Sequence, residues 1–234
     1  MQKHTSTQLF RYEVAGGVSE YHAMLRVTNP RLTFAEQIES LQAAYDHLVS
    51  NELPGAVAVL KRYFLSDAAN QANILLATQV EHSDCALSII EQPPLDGTKV
   101  ALWVYLQTGV QTRTLPHGDY EVSHGGYRHL WSAANFNKAS KSEYQTRLLL
   151  NDYVMRLAEQ GCSLADNCIR TWFFVQNVDV NYGGVVKARN EVFLTQNLTE
   201  KTHFIASTGI AGRHADHEVL VQMDAYAVDG IQKE

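Results

Sequence analysis

The feature that most constrains this chain is its internal repetition. Thr33-Phe-Ala-Glu36 and Ser140-Lys-Ser-Glu143 each set a hydroxyl residue three places before a Glu, the signature of a helix start, and they lie 107 positions apart. Around each, hydrophobic periodicity predicts the same order of elements, ββαβαββ. In the first half, QLFRYEV and SEYHAMLRV read as a hairpin closed by AGGVS. Phe34, Ile38, Leu41, Ala44, Tyr45 and Leu48 then repeat at helical spacing, and Pro54-Gly55 closes that helix. A strand over 56–65, a helix over 67–77 and strands over 86–92 and 99–106 complete the unit, with Asp96-Gly97 as a tight turn.

In the second half, VQTRTL and GYRHLWSA flank a turn region holding Gly118 and Gly125-Gly126. The following helix should turn Tyr144, Leu148, Tyr153, Leu157 and Ala158 inward and end at Gly161. A strand over 169–175, a helix over 180–196 and strands over 203–208 and 218–228 follow. YFLSD (63–67) aligns with FFVQN (173–177), and Ala86-Leu87-Ser88 with Ala206-Ser207-Thr208. The expectation is two tandem α+β units, 1–109 and 110–234, each a mixed β-sheet with two helices packed on one face.

Composition narrows the function classes. Hydrophobic residues make up 45% of the chain and charged ones 19%, enough for two cores. The net charge of −6 and the lack of a Lys/Arg run argue against a nucleic-acid partner. No apolar run reaches membrane-spanning length, and MQKHTSTQLF has no secretory h-region, so a cytoplasmic location is expected. Cys85, Cys162 and Cys168 are odd in number and lack CxxC spacing, which reads as buried thiols and not as a disulfide or zinc framework. No G-x-S-x-G, G-x-G-x-x-G or P-loop sequence occurs.

Several residues could carry chemistry. In Ser207-Thr208-Gly209-Ile210-Ala211-Gly212 the glycines could let backbone N–H groups converge on an anion, or could mark a strand exit. Strand alternation puts Leu220, Gln222, Asp224 and Tyr226 on one face, where Asp224 could act as general acid/base or be an ordinary polar residue. Arg170 and Trp172 share a strand face and suit a planar anion by charge and stacking. Arg189, just after Lys187, is either an anion clamp or the partner of Glu191 in a helix-face ion pair. Tyr127 and His129 precede a strand and could face the same cleft. His214, Asp216, His217 and Glu218, with His203, look like metal ligands but sit in a predicted turn, so no metal site and no cofactor is expected.

The ββαβαββ order in about 110 residues, together with ALSIIEQPPLDGTKVALWVYL, resembles the YjgF/RidA family, also labelled endoribonuclease L-PSP. RTWFFVQNVDVNY, KARNEVF and IASTGIAG more closely resemble the chorismatase branch of that superfamily. The resemblance implies a chorismate mutase-like fold for each unit. It also implies self-association of the trimer type and an interface pocket for a small carboxylated metabolite, either hydrolysed or merely bound. In RidA proteins an arginine clamps the substrate carboxylate and an acid positions water. Here those positions hold Leu87 and Trp103 in the first unit and Ser207 and Asp224 in the second. Standard imine deamination therefore lacks its clamp, and the first unit reads as degenerate. Chorismatases are longer and carry an SGTAS-like motif that is absent here. The resemblance leaves three readings. In the first, Asp224 and Ser207 are catalytic or polar groups and Thr208, Gly209, Arg170, Trp172, Arg189 and Tyr127 hold the ligand. The second is an inactive oligomeric scaffold, and the third an endoribonuclease or translation inhibitor.

Overall fold

The computed structural model describes residues 4–79 and 84–231. The chain divides into two compact units, Met1–His124 and Gly125–Glu234. Unit 1 runs β1 (Thr5–Tyr12), β2 (Ser19–Val27), α1 (Phe34–His47), β3 (Val57–Leu65), α2 (Ala68–Gln79), β4 (Ala86–Glu91) and β5 (Val100–Thr108). Its sheet has the order β1-β2-β5-β3-β4, in which only β3 and β4 are parallel. The expected mixed sheet with helices on one face is present. Tyr21, Ala23, Leu25 and Val27 of β2 alternate inward, and Leu25 is fully buried against the layer that carries Ile38, Leu41 and Ala44 of α1. Each buried Leu, Ile or Val among these stabilises the fold by roughly 1.5–3 kcal/mol. Thr33 forms its capping box with Glu36 in both directions, as the sequence predicts. The helix then loosens into a π turn over Leu48–Glu52 before Gly55, at φ 83°, reverses the chain.

A hairpin follows, β6 (Gln111–Thr114) with β7 (Tyr120–His124). β7 is a correction, because EVSH sits between turn signals and was expected to be turn. Buried Tyr120 and Val122 hold it extended.

Unit 2 contains β8 (Tyr127–Phe136), α3 (Ser142–Glu159), α4 (Leu164–Asn167), β9 (Cys168–Val175), α5 (Val178–Thr195), β10 (Ala206–Ala211) and β11 (Val221–Asp229). Its strands lie in the order β10-β9-β11-β8, with β9 and β10 parallel. The tandem repeat is thus real at the level of hydrogen bonding: β4-β3-β5 and β10-β9-β11 are paired in the same sense. Gly161, at φ 75°, ends α3 as expected.

Two expectations for α3 fail. Its N-cap is Lys141, without a side-chain cap bond, so Ser140-Lys-Ser-Glu143 is not a capping box. Glu143 is held instead by Lys187 at 3.1 Å and Arg147 at 3.1 Å. The buried stripe is Ser142, Gln145, Thr146, Leu149, Leu150, Tyr153, Arg156 and Leu157, which leaves Tyr144, Leu148 and Ala158 outside. Of the polar residues on this inner face, Gln145 and Arg156 are held by hydrogen bonds. Arg156, for example, donates to Ser132 Oγ at 3.1 Å and pairs with Asp152 at 3.0 Å.

Candidate functional site: the two faces of β9 and β10

β9 alternates. Thr171, Phe173 and Val175 are buried beneath the helices, while Arg170 and Trp172 point to the helix-free face. Register pairs Ala206 and Tyr226 with Arg170, and Thr208 and Asp224 with Trp172. Arg170, Trp172, Thr208, Asp224 and Tyr226 therefore share one face, across three neighbouring strands. Arg170 Nη2 donates to Thr208 Oγ1 at 3.0 Å, and the guanidinium lies 4.9 Å from the centre of the Trp172 ring. Arg170 Nε is buried with no partner, and among the described residues no carboxylate pairs with this guanidinium.

β8 adds Tyr127, His129 and Trp131 to the same face, through the pairing of Trp131 with Tyr226. The Trp131 and Tyr226 rings stack at 4.3 Å, and His129 Nδ1 lies 2.7 Å from the Tyr226 hydroxyl. Tyr127 sits outermost, its ring 6.4 Å from that of His129. Tyr226 and Trp131 were not singled out from the sequence. Tyr226 was reachable, standing two places from Asp224 on one strand.

Asp224 is almost fully buried, and its Oδ1 accepts from the Ala134 backbone N–H at 2.8 Å. Ala134 has φ 54°, in the left-handed region, where the β8–β11 register shifts between Met223 and Ala225. Asp224 thus closes a β-bulge.

Ser207 and Gly209 belong to the opposite face. Ser207 is in register with Thr171, whose hydroxyl donates to Ser207 Oγ at 3.1 Å. A Cβ on Gly209 would come within 2.2 Å of Tyr182 on α5, so this glycine admits the helix and does not cradle an anion. Residues 206–211 run as a ladder with β9, and Gly212 N–H goes to Val175 O at 3.1 Å. The sequence reading of a backbone anion nest is corrected on this point; the stretch is a strand and its exit.

Behind Ser207 lies a groove of about 540 Å³ between α5 and the connection to β10, lined by Arg189, Phe193, Leu198, Thr199 and Phe204 among others. Arg189 does not pair with Glu191, which is held by Arg147. Among the described residues its guanidinium donates only to Asn190 Oδ1, at 3.1 and 3.3 Å.

The other candidates are structural. His214 Nδ1 accepts from Asp216 N–H at 2.9 Å and its ring packs on Phe136 at 4.2 Å; burial pulls its pKa below the usual histidine value. Lys138 pairs with Asp216 and, at 3.5 Å, with Glu218. His203 Nε2 lies 2.6 Å from Ala165 O. Among the described residues no group of three or more His, Cys, Asp or Glu could hold a metal ion. The three cysteines are buried and form no disulfide among the described residues. Burial pushes the Cys85 thiol up to about 11 and the Cys168 thiol up to about 12. In unit 1 the equivalent face carries stacked rings and the buried Arg62, whose guanidinium lies 5.4 Å from the centre of the Trp103 ring. Trp103, in register with Arg62, stacks on His22 at 5.7 Å, and His22 stacks on Tyr105 at 4.7 Å. Leu87 is in register with Lys61.

No family model matches the sequence, and no curated protein sequence matches it. The structure is similar to that of a chorismatase, with a TM-score of 0.63 and 11% identity over 92% of this chain and 78% of that one. It also matches single-unit proteins of the YjgF family. One from Neisseria meningitidis (TM-score 0.41, 18% identity) covers 52% of this chain and 98% of its own. One from Mycobacterium tuberculosis (TM-score 0.39, 18% identity) covers 50% and 98%. The chorismatase likeness establishes the fold across both units. No helix of the described residues is long and apolar enough to cross a membrane.

Proposed function

We propose that unit 2 binds a small carboxylated metabolite on the helix-free face of its sheet, with Arg170 as the clamp. The observation that carries this reading is the Arg170 guanidinium, which is half-buried, seated on Trp172, tethered only to the Thr208 hydroxyl and without a carboxylate counterion among the described residues. A partly desolvated guanidinium is costly unless an anion pairs with it, and its planar fork suits a carboxylate. Trp172 and the Tyr226–His129–Trp131 stack supply a flat apolar wall for a ring or an unsaturated chain. Tyr127, exposed at the rim, can close over it. Asp224 is spent on the Ala134 bulge, so binding is favoured over hydrolysis as the primary role.

Unit 1 serves as scaffold, its clamp and acid positions being Leu87 and Trp103. Exposed Phe10 and Tyr12 next to the Trp103–His22–Tyr105 stack make self-association through helix-free faces the accompanying proposal. Buried cysteines without a disulfide suit a reducing, cytoplasmic setting. The test is a thermal-shift screen against chorismate, benzoates and 2-oxo acids. A stabilising ligand whose effect disappears in Arg170→Ala supports the reading, and no stabilisation by any of them refutes it. Sedimentation velocity reads the assembly, and a monomer at low micromolar concentration overturns that part.

A further inference from the structure

We infer that the outer edge of β1 pairs, antiparallel and about a two-fold axis, with β1 of a second copy of this chain. This contact is distinct from the helix-free faces and rests on neither the ligand reading nor the assembly reading above. β1 stands at the end of its sheet and pairs with β2 alone among the described residues. The Thr28 N–H donates to His4 O at 2.8 Å, in line with the ladder that matches Thr5 with Val27. Bonding alternates along an antiparallel strand. The backbone groups of Ser6, Gln8, Phe10 and Tyr12 therefore turn toward β2, and those of Thr5, Thr7, Leu9 and Arg11 turn outward as a row of donors and acceptors. Soluble proteins blunt such an edge with proline, lysine, a bulge or a covering segment. β1 has no proline, no lysine and no break of register over its eight residues, and it exposes Phe10 and Tyr12 beside the edge.

The partner is a second copy because the strand complements itself. With Gln8 facing the partner's Gln8, Thr7 bonds with the partner's Leu9 and Thr5 with the partner's Arg11, so every outward group of the strand is used. Any other symmetric register leaves Thr5 or Arg11 without a bonding residue inside the partner's strand. Phe10 then stands beside the partner's Ser6, and its ring covers the small side chain there. Arg11 is the one charged residue of β1, and the two copies of it lie at opposite ends of the ladder, about 20 Å apart. No like charges meet across the edge.

The experiment is disulfide trapping of the full chain. The two copies of Gln8 form a non-hydrogen-bonded pair, with Cα atoms about 4.5 Å apart, within the span of a disulfide. Gln8 is exposed and the native cysteines are buried, so under oxidised glutathione Gln8→Cys should form a covalent dimer through the new thiol. Ser6→Cys, on the same face, should crosslink at least tenfold more slowly, because its own copy lies about 14 Å away. Thr7→Pro removes an outward N–H and leaves the bonds to β2 intact; it should halve the mass of the assembly in sedimentation velocity. Its thermal unfolding checks that it folds, and Gln8→Cys tests the contact without it. No covalent dimer from Gln8→Cys, equal trapping through Ser6→Cys, or an unchanged mass in folded Thr7→Pro each overturns the inference. An assembly that persists in Thr7→Pro and gives no Gln8→Cys crosslink assigns self-association to the helix-free faces alone, which overturns this inference and leaves that reading standing.

Discussion

Gln37 and Gln145 hold equivalent posts, one in each unit, each fastening the start of a helix to the beginning of a central strand, β5 or β11. Both are fully buried. Gln37 donates to Leu32 O at 3.1 Å and accepts from Lys99 N–H at 2.8 Å, just before β5. Gln145 donates to Ala139 O and Glu218 O, each at 2.8 Å, and accepts from Leu220 and Val221 N–H at 2.8 and 3.0 Å, at the start of β11. Every lone pair and proton of that amide is used. Gln145→Leu should destabilise the chain by about 3 kcal/mol and Gln37→Leu by roughly 2 kcal/mol, since each leaves buried backbone groups unpaired. Urea unfolding measures both, and a loss below about 1 kcal/mol for Gln145→Leu would show the staple to be dispensable.

Lys61 sets a pH dependence. It is fully buried, its Nζ lies 4.1 Å above the Tyr45 ring, and among the described residues that nitrogen has no hydrogen-bond partner. Burial lowers its pKa, against the opposing pull of Cys85 and Asp46. Between that lowered value and the ordinary lysine range, the unfolded chain binds more protons than the folded one, so this group makes stability rise with pH there. Lys61→Met should therefore stabilise at pH 7, by about 1 kcal/mol or more, and the gain should shrink toward pH 10. A gain that does not change with pH contradicts this account of Lys61.

Asp224 and Ala134 make a second pair to separate. Asp224→Ala should cost about 2–3 kcal/mol by orphaning the Ala134 N–H. Ala134→Gly should gain up to about 1 kcal/mol by relieving the positive φ. If Asp224→Ala unfolds at the same denaturant concentration as the parent, the carboxylate is not holding the bulge.

At Gly209, an added methyl must displace Tyr182. Gly209→Ala should cost about 1–3 kcal/mol, as overpacking does, and the double variant Gly209→Ala/Tyr182→Ala should recover part of that loss relative to additivity. Strict additivity in thermal unfolding would mean the two residues do not meet.

The element order could be read from sequence because periodicity, caps and glycine turns are local, and Thr33, Pro54-Gly55 and Gly161 all behave as local chemistry dictates. The inward face of α3 could not, since Ser142, Gln145, Thr146 and Arg156 are polar, and the partners that hold Gln145 and Arg156 come from distant segments. The left-handed Ala134 carries no sequence signal either. For the site, residue types were informative but their grouping was not. Ser207 and Thr208 are neighbours in sequence and face opposite ways, so Arg170 and Arg189 lie on opposite sides of the sheet once the strand register is known.

That opposition on β10 has an evolutionary side. Odd positions of the strand meet α5 and the groove, and even positions meet Trp172 and Arg170. Substitutions at Ser207 and Thr208 share no partner side chain, so selection can alter one face of the strand without disturbing the other, and adjacent codons can follow separate histories.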